Sequence, residues 1–177
     1  MPNSILVEVA LSALLFFASA FDLTQRRIPN RLLLVGLIVA IPLHLMVVSP
    51  LAMLATMFAG ATLGLILFLP LYVLGAMAAG DVKLMATVGA FTGPLLVFQI
   101  ALATYCIGGV LALAIVLALR RASTAFANVG AVMRPLMMRL RGVPLVSEPM
   151  PHPSVGGMPY AVAITLGTLL VLWLQHC

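Results

Sequence analysis

The chain has 177 residues, of which 64% are hydrophobic and only 7% charged, and its net charge is +5. Soluble domains hold about a quarter charged residues, so the composition excludes a water-soluble fold and describes a surface built for lipid. Nucleic acid is not indicated as a partner. A basic excess in so apolar a chain reports the positive-inside bias and contact with anionic lipid at a cytoplasmic face.

Lipid leaves no backbone group free to go unpaired, so only helices and closed barrels span it. The apolar runs here are continuous, without the period-two alternation of a barrel strand. The expected fold is therefore all-α, a polytopic integral membrane protein with about six transmembrane helices. Hydrophobic segments fall at 4–22, 32–48, 51–74, 77–92, 95–119 and 159–175. The fourth is short against the roughly 17–25 residues a crossing needs.

Segment one ends in "FDLTQRRIPN" (21–30). The "ASA" at 18–20 has the look of a signal cleavage site. However, no Lys or Arg precedes the apolar stretch, Glu8 lies inside it, and Arg26 and Arg27 follow it. That charge order is reversed for secretion, so an uncleaved first span is expected. Pro29 and Asn30 separate segments one and two, Ser49 and Pro50 the next pair, and Thr92, Gly93 and Pro94 break the chain before the fifth. Gly60-Ala-Thr-Leu-Gly64 in segment three has the small-xxx-small spacing that lets helices approach closely.

The stretch 123–142 spaces Phe126, Val129, Met133, Leu136, Met137 and Leu140 as a helix, with Arg134 and Arg141 near the other face. It reads equally as a short helix on the leaflet and as an ordinary basic juxtamembrane loop. Residues 142–159 are Pro/Gly-rich and predict loop.

Arg26, Arg27 and Arg31 lie between spans one and two, Lys83 just after span three, and Arg120, Arg121, Arg134, Arg139 and Arg141 between five and six. With the N-terminus outside, all of them fall on the cytoplasmic side, and 120–158 becomes a cytoplasmic juxtamembrane loop. This parity requires the short fourth segment to cross, or to form one arm of a deep hairpin.

Cys106 and Cys177 are far apart, and the three histidines are scattered without an HExxH. Neither a zinc site nor a disulfide framework is indicated, and no metal or other cofactor is expected.

Only four acids exist: Glu8, Asp22, Asp81 and Glu148. Glu8 belongs to the outer end of span one and Glu148 to the long loop. Asp22 and Asp81 fall at the cytoplasmic ends of spans one and three, at one depth. Each has a structural alternative. Asp81 could N-cap a helix starting at Val82, and Asp22 could pair with Arg26 one turn on. Against the second, Asp22 would stand near a helix C-terminus, where the macrodipole disfavours a negative charge. Two acids at one depth in a chain nearly free of them make a site the stronger reading.

"FDLTQRRIPN" resembles the first motif of the type IV prepilin peptidases, an Asp followed by a basic residue and then Ile-Pro-Asn. "AAGDVKLMA" (78–86) resembles their second, the GxGD signature with Lys two residues on, and "MPYAVAITLG" (158–167) resembles the segment that opens their last helix. The length is similar to the short branch serving Flp/Tad pili, the CpaA/TadV proteins. The chain departs from GxGD in having Ala78 for the first Gly, which matters only if that residue needs a positive φ.

The resemblance implies a single membrane-embedded peptidase domain over 1–177, multi-pass in a bacterial inner membrane with its active site facing the cytoplasm. It implies Asp22 and Asp81 as catalytic, with Gly80, Lys83, Ala78, Arg26, Pro29, Asn30, Pro159 and Tyr160 as supporting motif positions. The substrates implied are prepilins and pseudopilins, cut at the inner leaflet between a short cytoplasmic leader and an apolar helix. Larger members carry a paired-cysteine insert with N-methyltransferase activity, and this chain has no such insert, so peptidase activity without methylation is expected. Its oligomeric state is not legible.

Two carboxyls within hydrogen-bond reach share a proton and titrate as a pair, one serving as base and one as acid. Lys83 is expected to favour the ionised form of one aspartate, to bind a substrate carboxylate, or to snorkel as an anchor. Gly75 and Gly80 either admit an extended substrate backbone or simply loosen a loop. The alternatives are a small proton-coupled transporter, a presenilin-like protease with deeper acids, and a non-catalytic pilus-assembly protein.

Overall fold

The computed structural model describes residues 2–46, 49–118 and 159–177. The possible surface helix at 123–142, the loop at 142–158 and Glu148 lie outside the described residues. Residues 1–109 and 159–177 form one compact unit, and 110–158 a second, of which only the end of one helix is described.

Among the described residues the structure is helical throughout: α1 (Pro2–Gln25), α2 (Asn30–Leu45), α3 (Pro50–Val73), α4 (Ala79–Ala118) and α5 (Tyr160–His176). By length and composition, Ile5–Gln25, Pro50–Val73 and Ala79–Ala118 can cross a membrane, while α2 and α5 are shorter apolar helices of 16 and 17 residues. Large apolar side chains such as Phe16, Leu51, Phe58, Leu95 and Trp173 point outward. Inside lie Leu11, Leu15, Phe68, Leu84, Met85, Val97, Ile100 and Ile164, all fully buried. The buried Thr87, Thr104 and Thr168 hydroxyls donate to the carbonyls of Lys83, Ile100 and Ile164, one turn back. This is how an apolar interior keeps a hydroxyl without an outside partner.

Glycine sets the closest approaches. A Cβ at Gly60 would collide with the Gly89 carbonyl oxygen, and one at Gly89 with that of Gly60. A Cβ at Gly64 would lie 2.6 Å from the Met85 oxygen, and Thr56 is the neighbour of Gly93. Each step along α3 is thus matched by an opposite step along the first arm of α4, so the two run antiparallel with their backbones nearly touching.

α4 is continuous by hydrogen bonding but broken in geometry. Gly93 has φ 77° and ψ 176°, and Pro94 follows. Proline supplies no N–H to continue the ladder, and glycine alone takes that φ without strain. Beyond the break, the Tyr105 hydroxyl donates to the Leu67 carbonyl and its ring stacks on Phe68 at 5.1 Å. From Thr56 to Leu67 on α3, and from Gly93 to Tyr105 on α4, is a similar rise of about 17 Å in the same direction. The second arm therefore runs back alongside α3, and 79–92 and 94–105 form a hairpin.

The turn of that hairpin is fastened by α2. His44 of α2 reaches the Phe91 carbonyl, two residues before the break at Gly93. Its Nε2 lies 3.0 Å from the Phe91 oxygen and its Nδ1 2.9 Å from the Ala40 oxygen. Carbonyl oxygens only accept, so the nitrogen bearing the proton donates to its carbonyl, and a doubly protonated ring donates to both.

α1 and α5 pack antiparallel along one seam. Asp22 meets Ala161, Ser19 meets Thr165, and Glu8 meets His176 at 2.9 Å, the one ion pair among the described residues. The helix ends therefore sort into two groups. Asp22, Ile28, Asn30, Gly80, Lys83 and Ala161 share one end of the bundle, and Glu8, His44, Thr56, Gly93 and His176 the other.

Adding a methyl at Gly60 or Gly89 improves helix propensity by about 1 kcal/mol but strikes backbone, which cannot move aside as a flexible side chain can. Gly60→Ala and Gly89→Ala should each destabilise the protein by about 1–3 kcal/mol, read as a lower melting temperature in detergent. Gly109→Ala, where a Cβ meets nothing within 4 Å, should leave it unchanged or higher.

Candidate active site

Asp22 lies one turn inside the end of α1, which runs past the apolar segment to Gln25. The helix closes at Arg26, whose φ of 52° is left-handed and whose amide donates to the Asp22 carbonyl at 3.0 Å. That is the αL cap usually assigned to glycine. The exposed Arg26 side chain is electrostatically coupled to the Asp22 carboxylate.

The difficulty of an acid at a helix C-terminus is resolved by a neighbouring helix. Pro159 caps α5 without a side-chain hydrogen bond, and the free amide of Ala161 donates to Asp22 Oδ2 at 3.1 Å. Asp22 thus ends α1 and caps α5, where the positive end of a helix dipole favours it.

Asp81 is held in a similar way. The helix starts at Ala79, three residues earlier than a cap at Asp81 would require. Asp81 is therefore the third residue of the first turn, not the residue before it. Its Oδ2 accepts the Ala78 amide at 3.1 Å, while its own amide donates to the Ala78 carbonyl at 3.1 Å. This is the carboxylate half of a capping box. Asp81 is buried and Asp22 half-buried. Each engages a helix-start amide through one oxygen and keeps Oδ1 for other work. The Asp81 carboxyl lies within electrostatic reach of Asp22, and the half-buried Tyr160 phenol at the start of α5 within reach of Asp81.

The supporting positions divide. Ala78 is exposed and has no positive φ, so nothing in the backbone there demands glycine. A Cβ at Gly80 would sit in ordinary contact with Ile28, 3.4 Å from its Cβ; the Ile-Pro-Asn element packs directly beside the Gly-Asp pair. Pro29 caps α2 with an extended ψ of 127°. Asn30 Oδ1 accepts from Lys83 Nζ at 3.2 Å, so Lys83 ties the start of α4 to the start of α2 and bonds to neither aspartate. Gly75 has a specific duty as well. At φ 72° it closes α3, its amide bonding to Tyr72 and that of Ala76 to Leu71, the two bonds of a Schellman cap.

Ser19 and Thr165 were not singled out by the sequence, yet they flank the Asp22 contact. Ser19 is three residues before Asp22, and Thr165 four after Ala161. The only available signal was that shared helical face.

Asparagine at 81 keeps a carbonyl oxygen for the Ala78 amide, and alanine does not. Asp81→Ala should cost about 1 kcal/mol of helix-start stability relative to Asp81→Asn, read as the difference in melting temperature of the purified variants. Ala78→Gly should melt with the parent protein.

No curated protein and no solved structure matches the chain significantly. The family model of the type IV leader peptidases does match, over residues 9–113, more than half of the chain and including both aspartates. On that match, joined to the paired Asp motifs, the chain belongs to the type IV leader peptidase family.

Proposed function

We propose that this protein is an aspartic endopeptidase that removes the short leader from prepilin-type precursors, with Asp22 and Asp81 as its catalytic pair. The observation carrying this reading is that two remote acids, in a chain with four, stand at the same end of the bundle, each fixed through one oxygen by a helix-start amide.

In the reaction, the ionised carboxylate takes a proton from a water as its oxygen attacks the scissile carbonyl. The protonated partner gives its proton to the carbonyl oxygen. When the tetrahedral intermediate collapses, the C–N bond breaks and the amine leaves protonated. A symmetric pair does not encode which residue begins as base.

The proposed orientation puts the N-terminus outside and the pair at the cytoplasmic leaflet of a bacterial inner membrane. Arg26, Arg31 and Lys83 support it by standing at the same end of the bundle as the aspartates, as the positive-inside rule requires. A leader on that side and an apolar helix in the bilayer would present the cleavage point at this depth. Methyl transfer is not part of the proposed activity, and the short Flp/Tad branch is the proposed setting. Pro159 and Tyr160 serve by opening α5 beside Asp81.

The test is co-expression with a prepilin-type precursor, reading the mature band. Asp22→Asn and Asp81→Asn each remove the acid and keep an acceptor for the amide, so both proteins should accumulate in the membrane. Each should lower processing by at least about a thousandfold. Undiminished mature product from either variant would end the aspartic reading.

A further inference from the structure

Asp22 is held by a single amide, and the residue supplying it is itself held. Ala161 is fully buried. Its amide donates to Asp22 Oδ2 at 3.1 Å, and its carbonyl oxygen lies 2.8 Å from the Thr165 hydroxyl and 3.2 Å from that of Ser19. The two hydroxyls are 2.7 Å apart, and Thr165 also reaches the Leu15 carbonyl at 3.3 Å.

Two hydroxyl protons serve these contacts, and the donor count is informative. If Ser19 donates to Thr165, the Thr165 proton is free for the Ala161 carbonyl. If Thr165 donates to Ser19, the Ser19 proton is free for it. Either direction can bring a hydroxyl proton to Ala161. Ser19 and Asp22 are three apart on α1, and Ala161 and Thr165 four apart on α5, so all four occupy the facing stripes of the seam. A helix packed only by apolar contacts could slide or roll by a fraction of an ångström. One whose first turn is bonded across the seam at the Ala161 amide, and again through the Ser19 and Thr165 hydroxyls, cannot do so without breaking a hydrogen bond.

We propose that Ser19 and Thr165 are positioning residues for the leader-peptidase reaction, locking the start of α5 so that the Ala161 amide aims the Asp22 carboxylate. This rests on the reading of Asp22 as catalytic. Neither hydroxyl touches the reacting atoms. They act through Ala161, and their loss lets Asp22 depart from the geometry it shares with Asp81.

The test uses the full chain in detergent, with a full-length precursor bearing a short leader, a glycine at the cleavage point and one apolar helix. Ser19→Ala and Thr165→Val should each lower kcat by roughly tenfold to a hundredfold, the scale of a misplacement near 1 Å, with KM and melting temperature held. The double variant should be little worse than either single one, because the hydroxyls act as one unit. Thr165→Ser, which restores the donor, should return most of the rate. Unchanged kcat in both hydroxyl-deleted proteins would overturn the proposal, as would a loss that Thr165→Ser fails to rescue. Asp22→Asn, run in parallel, separates the two readings. If it is inactive while Thr165→Val is fully active, only the positioning role falls. If it is active, the catalytic assignment falls first.

Discussion

A carboxylate in apolar surroundings survives only where donors reach it, and this chain has few to offer. The common solution for Asp22 and Asp81 is a backbone amide at the start of a helix. There the first N–H groups have no partner of their own. The arrangement satisfies two needs at once. The helix start gains an acceptor, and the acid gains a donor that, unlike a lysine, brings no mobile charge. Asp81 takes its amide from its own helix. Asp22 takes its from a helix about 140 residues further along the chain. The site is therefore assembled by tertiary packing, and any packing that brings α5 to α1 also sets the direction of Asp22.

Packing in lipid gains little from the hydrophobic effect, because lipid tails are as apolar as leucine. Close contact and hydrogen bonding have to supply the order. The Gly60–Gly89 and Gly64–Met85 approaches do this for α3 and the first arm of α4, and so fix the height at which α4 begins and Asp81 stands. The hydroxyl seam does it for α1 and α5. The two aspartates thus belong to two helix pairs, which meet where Gly167 of α5 lies against Thr104 of α4, where Ile28 lies against Gly80 and where Lys83 holds Asn30.

Much of this was legible in the sequence because polarity is so sparse in it. Two acids at equal depth could be matched by counting spans. The Gly60/Gly64 spacing announced a close helix contact, and Gly93-Pro94 announced the hairpin. Features that depend on long-range partners were not legible. Serine and threonine are ordinary in membrane helices, and nothing local distinguishes Ser19 or pairs it with a residue 146 positions away. Lys83, two residues from Asp81, invited an electrostatic role, but a helix turns about 200° in two residues and sends it to Asn30 instead. The N-cap alternative for Asp81 arose because an aspartate inside the first turn looks, in sequence, like one just before it.

The pair formed by Glu8 and His176 gives the seam a second clasp at its far end. With both extremities of α5 fastened to α1, the register of the last helix is written in the first.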